Sequence, residues 1–187
     1  SGSAAARSTT YGTASASTSV SVSGSNLTAN ITATAPAGFE VSNNNSTWSS
    51  STSFTASGGN ASGTLYIRLA ANTVAGSPSG NVTFSSTGAD DVTVAVSGTV
   101  SPKGLTITGL SAQDKTYDAT TSVTVSGTPA YSGLVLGQSF SVSGSVSWAF
   151  PDKAVGSNKT LTRTGSYAAP NANYTITAQP SLSASIT

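Results

Sequence analysis

Apolar and polar residues alternate along this chain in short stretches separated by turn residues. In Leu27-Thr28-Ala29-Asn30-Ile31-Thr32-Ala33 the odd positions are apolar and the even ones polar, the period of a half-buried strand. Pro36 and Gly38 break the pattern, and Phe39-Glu40-Val41 resumes it. Leu65-Tyr66-Ile67-Arg68-Leu69 sets its aliphatic residues on one face and Tyr66 and Arg68 on the other. Gly80-Asn81-Val82-Thr83-Phe84 and Val92-Thr93-Val94-Ala95-Val96 repeat the scheme. With Val20-Ser21-Val22 and the segment around Phe54, this predicts about seven strands before residue 100, as in an immunoglobulin-like sandwich.

Pro102 is poorly suited to a sheet ladder, so Ser97 to Gly104 reads as a junction, with the division near 101–103. A second strand series follows: Leu105-Thr106-Ile107, Val123-Thr124-Val125, Ser139 to Ser143, Val146 to Phe150, Thr160-Leu161-Thr162, Tyr174-Thr175-Ile176 and Leu182 to Ile186. No segment holds a helical period. The expected fold is all-β, two tandem immunoglobulin-like β-sandwich domains over residues 8–100 and 104–187, each just large enough to bury its own core. Ser1-Gly2-Ser3 reads as a cloning remnant and is left out of the fold. With no Met at its start, the sequence reads as part of a longer protein.

Composition narrows the chemistry. Charged residues are 7% of the chain, against roughly 25% in an ordinary soluble domain. Abundant Thr and Val favour pleated strands. No apolar run is long enough for a membrane-spanning helix. Cys and His are both absent, which removes disulfides, thiolate metal sites and the usual general base near neutral pH. The net charge of +1 lacks any basic cluster, so nucleic acid is not an expected partner. Scarce charge without Cys fits an exported protein.

Three separated motifs carry a resemblance. Lys115-Thr116-Tyr117-Asp118-Ala119-Thr120-Thr121 is followed by the stretch Phe150-Pro151-Asp152-Lys153-Ala154-Val155-Gly156-Ser157-Asn158-Lys159, then by Asn171-Ala172-Asn173-Tyr174-Thr175-Ile176-Thr177. In order and spacing they resemble the YDG domain, an immunoglobulin-like repeat of bacterial adhesins and hemagglutinin-like surface proteins, over residues 104–187. One departure stands out: Ala119 occupies the place of the family's namesake Gly. A turn requiring φ > 0 would be strained by Ala, so either strain or a different turn is expected here. The first half, through Ala35-Pro36-Ala37-Gly38-Phe39-Glu40-Val41-Ser42 and Val96-Ser97-Gly98-Thr99-Val100, is similar to a β-sandwich repeat that precedes such domains in exported proteins. Together the resemblances imply a non-enzymatic stalk or adhesive segment, secreted to the bacterial cell surface. Its partners would be neighbouring repeats of the same polypeptide, surface glycans, or a host or neighbour-cell protein. The alternatives are a carbohydrate- or protein-binding module and an inert spacer on an exported enzyme.

Candidate sites are few. Without His, a nucleophilic Ser has only a Ser-Lys arrangement open to it, and no Ser-x-x-Lys stretch sits in a helical context. Paired carboxylates for glycoside hydrolysis would have to come from Glu40, Asp90, Asp91, Asp114, Asp118 and Asp152. Asp114, Asp118 and Asp152 could ligate Ca²⁺, but no Asp-rich loop of known spacing is present, and turn capping or ion pairing with Lys115, Lys153 or Lys159 is the plainer role. No catalytic, cofactor or metal residue is therefore assigned, and no cofactor is expected. A sharper reading is a Lys–Asn or Lys–Asp amide cross-link, which would need burial to shift both partners' protonation. Its constellation would be Lys115 or Lys159 with Asn173, assisted by Asp118; an ion-pair and hydrogen-bond cluster tying the domain's first strand to its last ones is the alternative. For binding, Trp48 follows the Asn43-Asn44-Asn45 loop and either covers the rim or stands at its tip. Tyr66 and Arg68 share a face, and Tyr11, Tyr131 and Tyr167 could extend an aromatic surface. Val146, Trp148 and Phe150 read as core.

Overall fold

A computed structural model describes residues 2–187. Among the described residues all regular structure is strand, and the chain divides into two compact units, Ser1–Pro102 and Lys103–Thr187. The junction is tighter than the sequence pattern predicts. The last strand of the first unit runs to Ser101 and the first strand of the second begins at Lys103, so Pro102 alone separates them. Pro102 has no N–H to offer a ladder, which ends one strand while letting extended backbone continue.

Unit 1 contains β1 (Gly2–Ser3), β2 (Arg7–Thr10), β3 (Thr18–Gly24), β4 (Ile31–Thr34), β5 (Phe39–Ser42), β6 (Ser51–Phe54), β7 (Ala61–Leu69), β8 (Ser79–Ser85) and β9 (Val92–Ser101). One sheet has the order β1-β9-β8-β4-β6, with β2 also on β9; the other has the order β3-β7-β5. Leu65, Ile67 and Leu69 of β7 are buried, together with Val41, Ala33, Val82 and Val96 from both sheets. Each fully buried aliphatic of this size contributes about 1.5–3 kcal/mol. The sheets approach closely: a Cβ on Gly63 of β7 would lie 2.6 Å from the Phe54 ring of β6. Gly there makes room for an aromatic across the interface.

Several strands differ from the sequence expectation. The alternation of Leu27–Ala33 yields a strand only from Ile31, because Asn26 adopts φ 56 and the Leu27 N–H turns to the Gly59 carbonyl at 2.8 Å. Gly2–Ser3, set aside above, pairs with β9 in parallel, as does the unpredicted Arg7–Thr10.

Unit 2 contains β10 (Lys103–Ala112), β11 (Val125–Ser132), β12 (Val146–Ala149), β13 (Gly156–Thr160), β14 (Thr162–Gly165), β15 (Tyr174–Ala178) and β16 (Ser183–Ile186). They form three small sheets, β11-β10-β15, β12-β14 and β13-β16. Phe150, Leu161, Ala184 and Ile186 make a buried cluster, with Trp148 and Leu182 packed against it. The pair β10–β11 shifts register between Thr108 and Leu110, so that Gly109 faces Thr128 and Pro129 while Gly127 pairs with Leu110. Both glycines have positive φ, and a Cβ on Gly127 would fall 2.0 Å from the Gly109 oxygen, so no larger residue fits. Ser139–Ser143 forms no strand; its backbone joins the fold through an isolated bridge from Ser143 to Ala168.

Candidate functional site

On β5 and β7 the outward face gathers the residues singled out for binding. Glu40 stands in register with Arg68, and Ser42 with Tyr66. The Arg68 Nε donates to Glu40 Oε2 at 3.0 Å, and its second nitrogen lies 2.9 Å from the same oxygen. Beyond β5, the Asn44 side chain accepts the backbone N–H groups of Ser46 and Thr47, both at 2.9 Å. This Asx-type turn folds the loop back, and Ser49 then bridges to Val41 through N–H donations of 2.9 and 3.1 Å. Trp48 is thereby brought over the sheet, where the Arg68 guanidinium carbon lies 4.1 Å from its ring centroid. Such a stack contributes about 0.5–1 kcal/mol at a partly exposed site. Trp48 is half-buried against Arg68 on the outward face of β7. Trp48, Tyr66 and Arg68 thus share one face, all half-buried. The other tyrosines are elsewhere: Tyr11 is buried, and the Tyr131 hydroxyl donates to the Ala168 carbonyl at 2.6 Å.

Unit 2 holds two lysine clips. Lys115 Nζ donates to Asp118 Oδ1 at 2.7 Å, to the Thr120 carbonyl at 2.9 Å and to Thr120 Oγ1 at 3.0 Å. It also lies 5.5 Å from the Phe150 ring centroid. Asp118 in turn accepts the Thr120 N–H at 2.9 Å. The hydrogen bond from Lys115 foremost, then those from Thr120, hold the Asp118 carboxyl down at about 2. Lys159 Nζ donates to Asp152 Oδ1 and, at 2.7 Å, to the Ala154 carbonyl. The same lysine, with the Ala154 N–H, lowers the Asp152 carboxyl. Asp114 Oδ1 accepts the Ser185 N–H at 2.7 Å.

The cross-link constellation is not assembled. Lys115 and Lys159 flank β16, in register with Ile186 and Ala184, but each grips its own aspartate. Asn173 lies at the other end of β10, its carbonyl accepting the Lys103 N–H at 2.8 Å. Lys115 and Asp118 are therefore an ion pair, Lys159 pairs with Asp152 instead, and Asn173 belongs to neither. The reason is topological: Asn173 opens β15, which runs parallel to the start of β10, whereas Lys115 follows its end. Among the described residues no group of His, Cys, Asp or Glu is placed to hold a metal ion.

Ala119, between Asp118 and Thr120, has φ 60. The left-handed turn is kept, and a residue with a Cβ occupies it. One further feature escaped the sequence reading. A cleft of about 260 Å³ opens between β3 and β9, lined by Val22, Leu27, Ile31, Phe84, Val94 and Asp90 among others. Its lining comes from separate strands, so no local motif announces it.

No curated protein matches the chain. The second unit does have a recognisable relative: residues 101–181, which hold the Lys115–Asp118 and Lys159–Asp152 clips, match the family model of the YDG domain.

Proposed function

We propose that this chain is a non-catalytic structural and adhesive segment of a secreted bacterial surface protein, made of two tandem immunoglobulin-like sandwiches. The observation that supports this reading is the direction of the terminal strands. In unit 1, β2 runs parallel to β9, pairing Arg7–Thr10 with Gly98–Ser101. In unit 2, Lys115 pairs in parallel with Ile186, past the end of β10. Parallel first and last segments make the chain enter a unit at one end and leave at the other, which suits repeats that gain length by addition. The match of residues 101–181 to the YDG domain is the second support.

An antibody against this chain should label intact cells of the organism that makes it, and deleting residues 8–187 in frame should reduce attachment. Labelling only after permeabilisation would overturn the reading. A second reading, a glycan- or protein-binding module, is favoured by the Trp48–Arg68 stack beside Tyr66. Binding on a glycan array that is lost in Trp48→Ala would support it.

A further inference from the structure

Beyond spacing, we infer that unit 2 bears tension, and that the segment Asp114–Tyr117 paired with Ser185–Thr187 is its mechanical lock. Three backbone–backbone hydrogen bonds join these segments, with side-chain bonds beside them. The Lys115 N–H donates to the Ser185 carbonyl at 3.0 Å, the Thr187 N–H to the Lys115 carbonyl at 3.0 Å, and the Tyr117 N–H to the Thr187 carbonyl at 2.8 Å. Asp114 Oδ1 receives the Ser185 N–H at 2.7 Å.

The two segments run parallel. Tension entering at Lys103 pulls the first segment toward its N-terminal end, and tension leaving at Thr187 pulls the second toward its C-terminal end. The ladder is then loaded along the strands, in shear, and its bonds share the load together. An antiparallel ladder pulled from its open end breaks one pair at a time. The path from Lys103 to the lock is itself held on both sides, since β10 pairs with β11 and β15.

Lys115 adds a pin at the centre of the lock. Its backbone makes two of the three backbone bonds, while its ammonium is gripped by Asp118 and Thr120 just beyond and lies near Phe150 of the core. Sliding the segment lengthwise must drag that turn with it. The same motif that carries the YDG resemblance therefore occupies the load-bearing position. The geometry stands on unit 2 alone; its biological use rests on the surface-segment reading above.

The test is single-molecule force spectroscopy on the full chain, which has no Cys of its own, so engineered cysteines give unique handles. Handles at Pro102→Cys and after Thr187 load the lock in shear. Handles at Pro102→Cys and Ser132→Cys unzip β10 from β11, whose outermost pair is Thr106 with Ser132. Because bonds that share a load fail together whereas unzipped bonds fail singly, the shear geometry should need more force than the unzipping geometry. Forced unfolding reports the unfolding barrier, so Lys115→Met and Asp118→Asn should lower the shear force and leave the unzipping force unchanged. Equal forces in the two geometries would overturn the inference, as would variants that weaken both alike. That failure would leave a stalk that carries no load, whereas the stalk reading itself falls only with the surface-labelling result.

Discussion

Replacing Ala119 with Gly should stabilise unit 2. Ala119 holds φ 60 on an exposed turn, where a residue with a Cβ pays about 1–2 kcal/mol for the left-handed conformation. Glycine removes that strain but loses more chain freedom on folding, by about 0.5–1 kcal/mol relative to Ala. With the corresponding ends of the two ranges paired, the difference leaves a net gain of about 0.5–1 kcal/mol. For a domain of this size, about 4–8 °C of melting temperature accompanies each kcal/mol, so the expected rise is about 2–8 °C. No clash opposes the change, because it only removes atoms, and Asp118 and Thr120 on either side keep their bonds to Lys115. Trp148 is the single Trp of unit 2 and packs against its core. In a Trp48→Phe background, tryptophan fluorescence during heating therefore follows unit 2 alone. Ala119→Val gives the opposite arm, since a β-branched side chain in a left-handed turn is worse than Ala. A melting temperature that stays level or falls in Ala119→Gly would refute the strain argument.

Other consequences can be measured on the same protein. Because Lys115 and Thr120 hold Asp118 down at about 2 from an ordinary 3.8, the clip stabilises the folded state above about 3.8 and the benefit is lost as pH falls toward about 2. The melting advantage of the wild type over Asp118→Asn should thus shrink across that window and stay level from pH 5 to 7; an advantage independent of pH would contradict the pairing. Phe150→Ala empties the centre of a small core, 2% exposed in the wild type, and should cost about 3–5 kcal/mol, abolishing the unit 2 transition. Arg68→Ala uncovers one face of Trp48, so emission should shift to the red while stability falls by no more than about 1 kcal/mol.

The strand-forming stretches were legible because a half-buried sheet writes its inside and outside into alternate residues. Leu65, Ile67 and Leu69 are buried while Tyr66 and Arg68 face out, and Phe150 lies in the core with Trp148 against it. Strands that owe little to burial were not legible. Arg7–Thr10 is all polar and is fixed by its ladder with β9. Val125–Ser132 carries Gly127 and Pro129, which local reasoning takes for a turn, yet Gly127 stays in register with Leu110 and the bulge opposite Gly109 absorbs Pro129.

The candidate sites divide in the same way. That Lys115, Asp118 and Lys159 would matter could be read from the motifs, and that Tyr66 and Arg68 share a face follows from the period of two. Which aspartate each lysine grips could not, since Lys159 meets Asp152 through a loop and Asn173 is carried to the far end of β10 by a parallel pairing. Nor could the sequence place Trp48 over Arg68, which depends on the turn that Asn44 ties. Alternation is a local property, repeated every two residues and set by which face meets water. Partner choice, parallel direction and lysine pairing depend on where distant strands meet, and that is decided only when whole sheets pack.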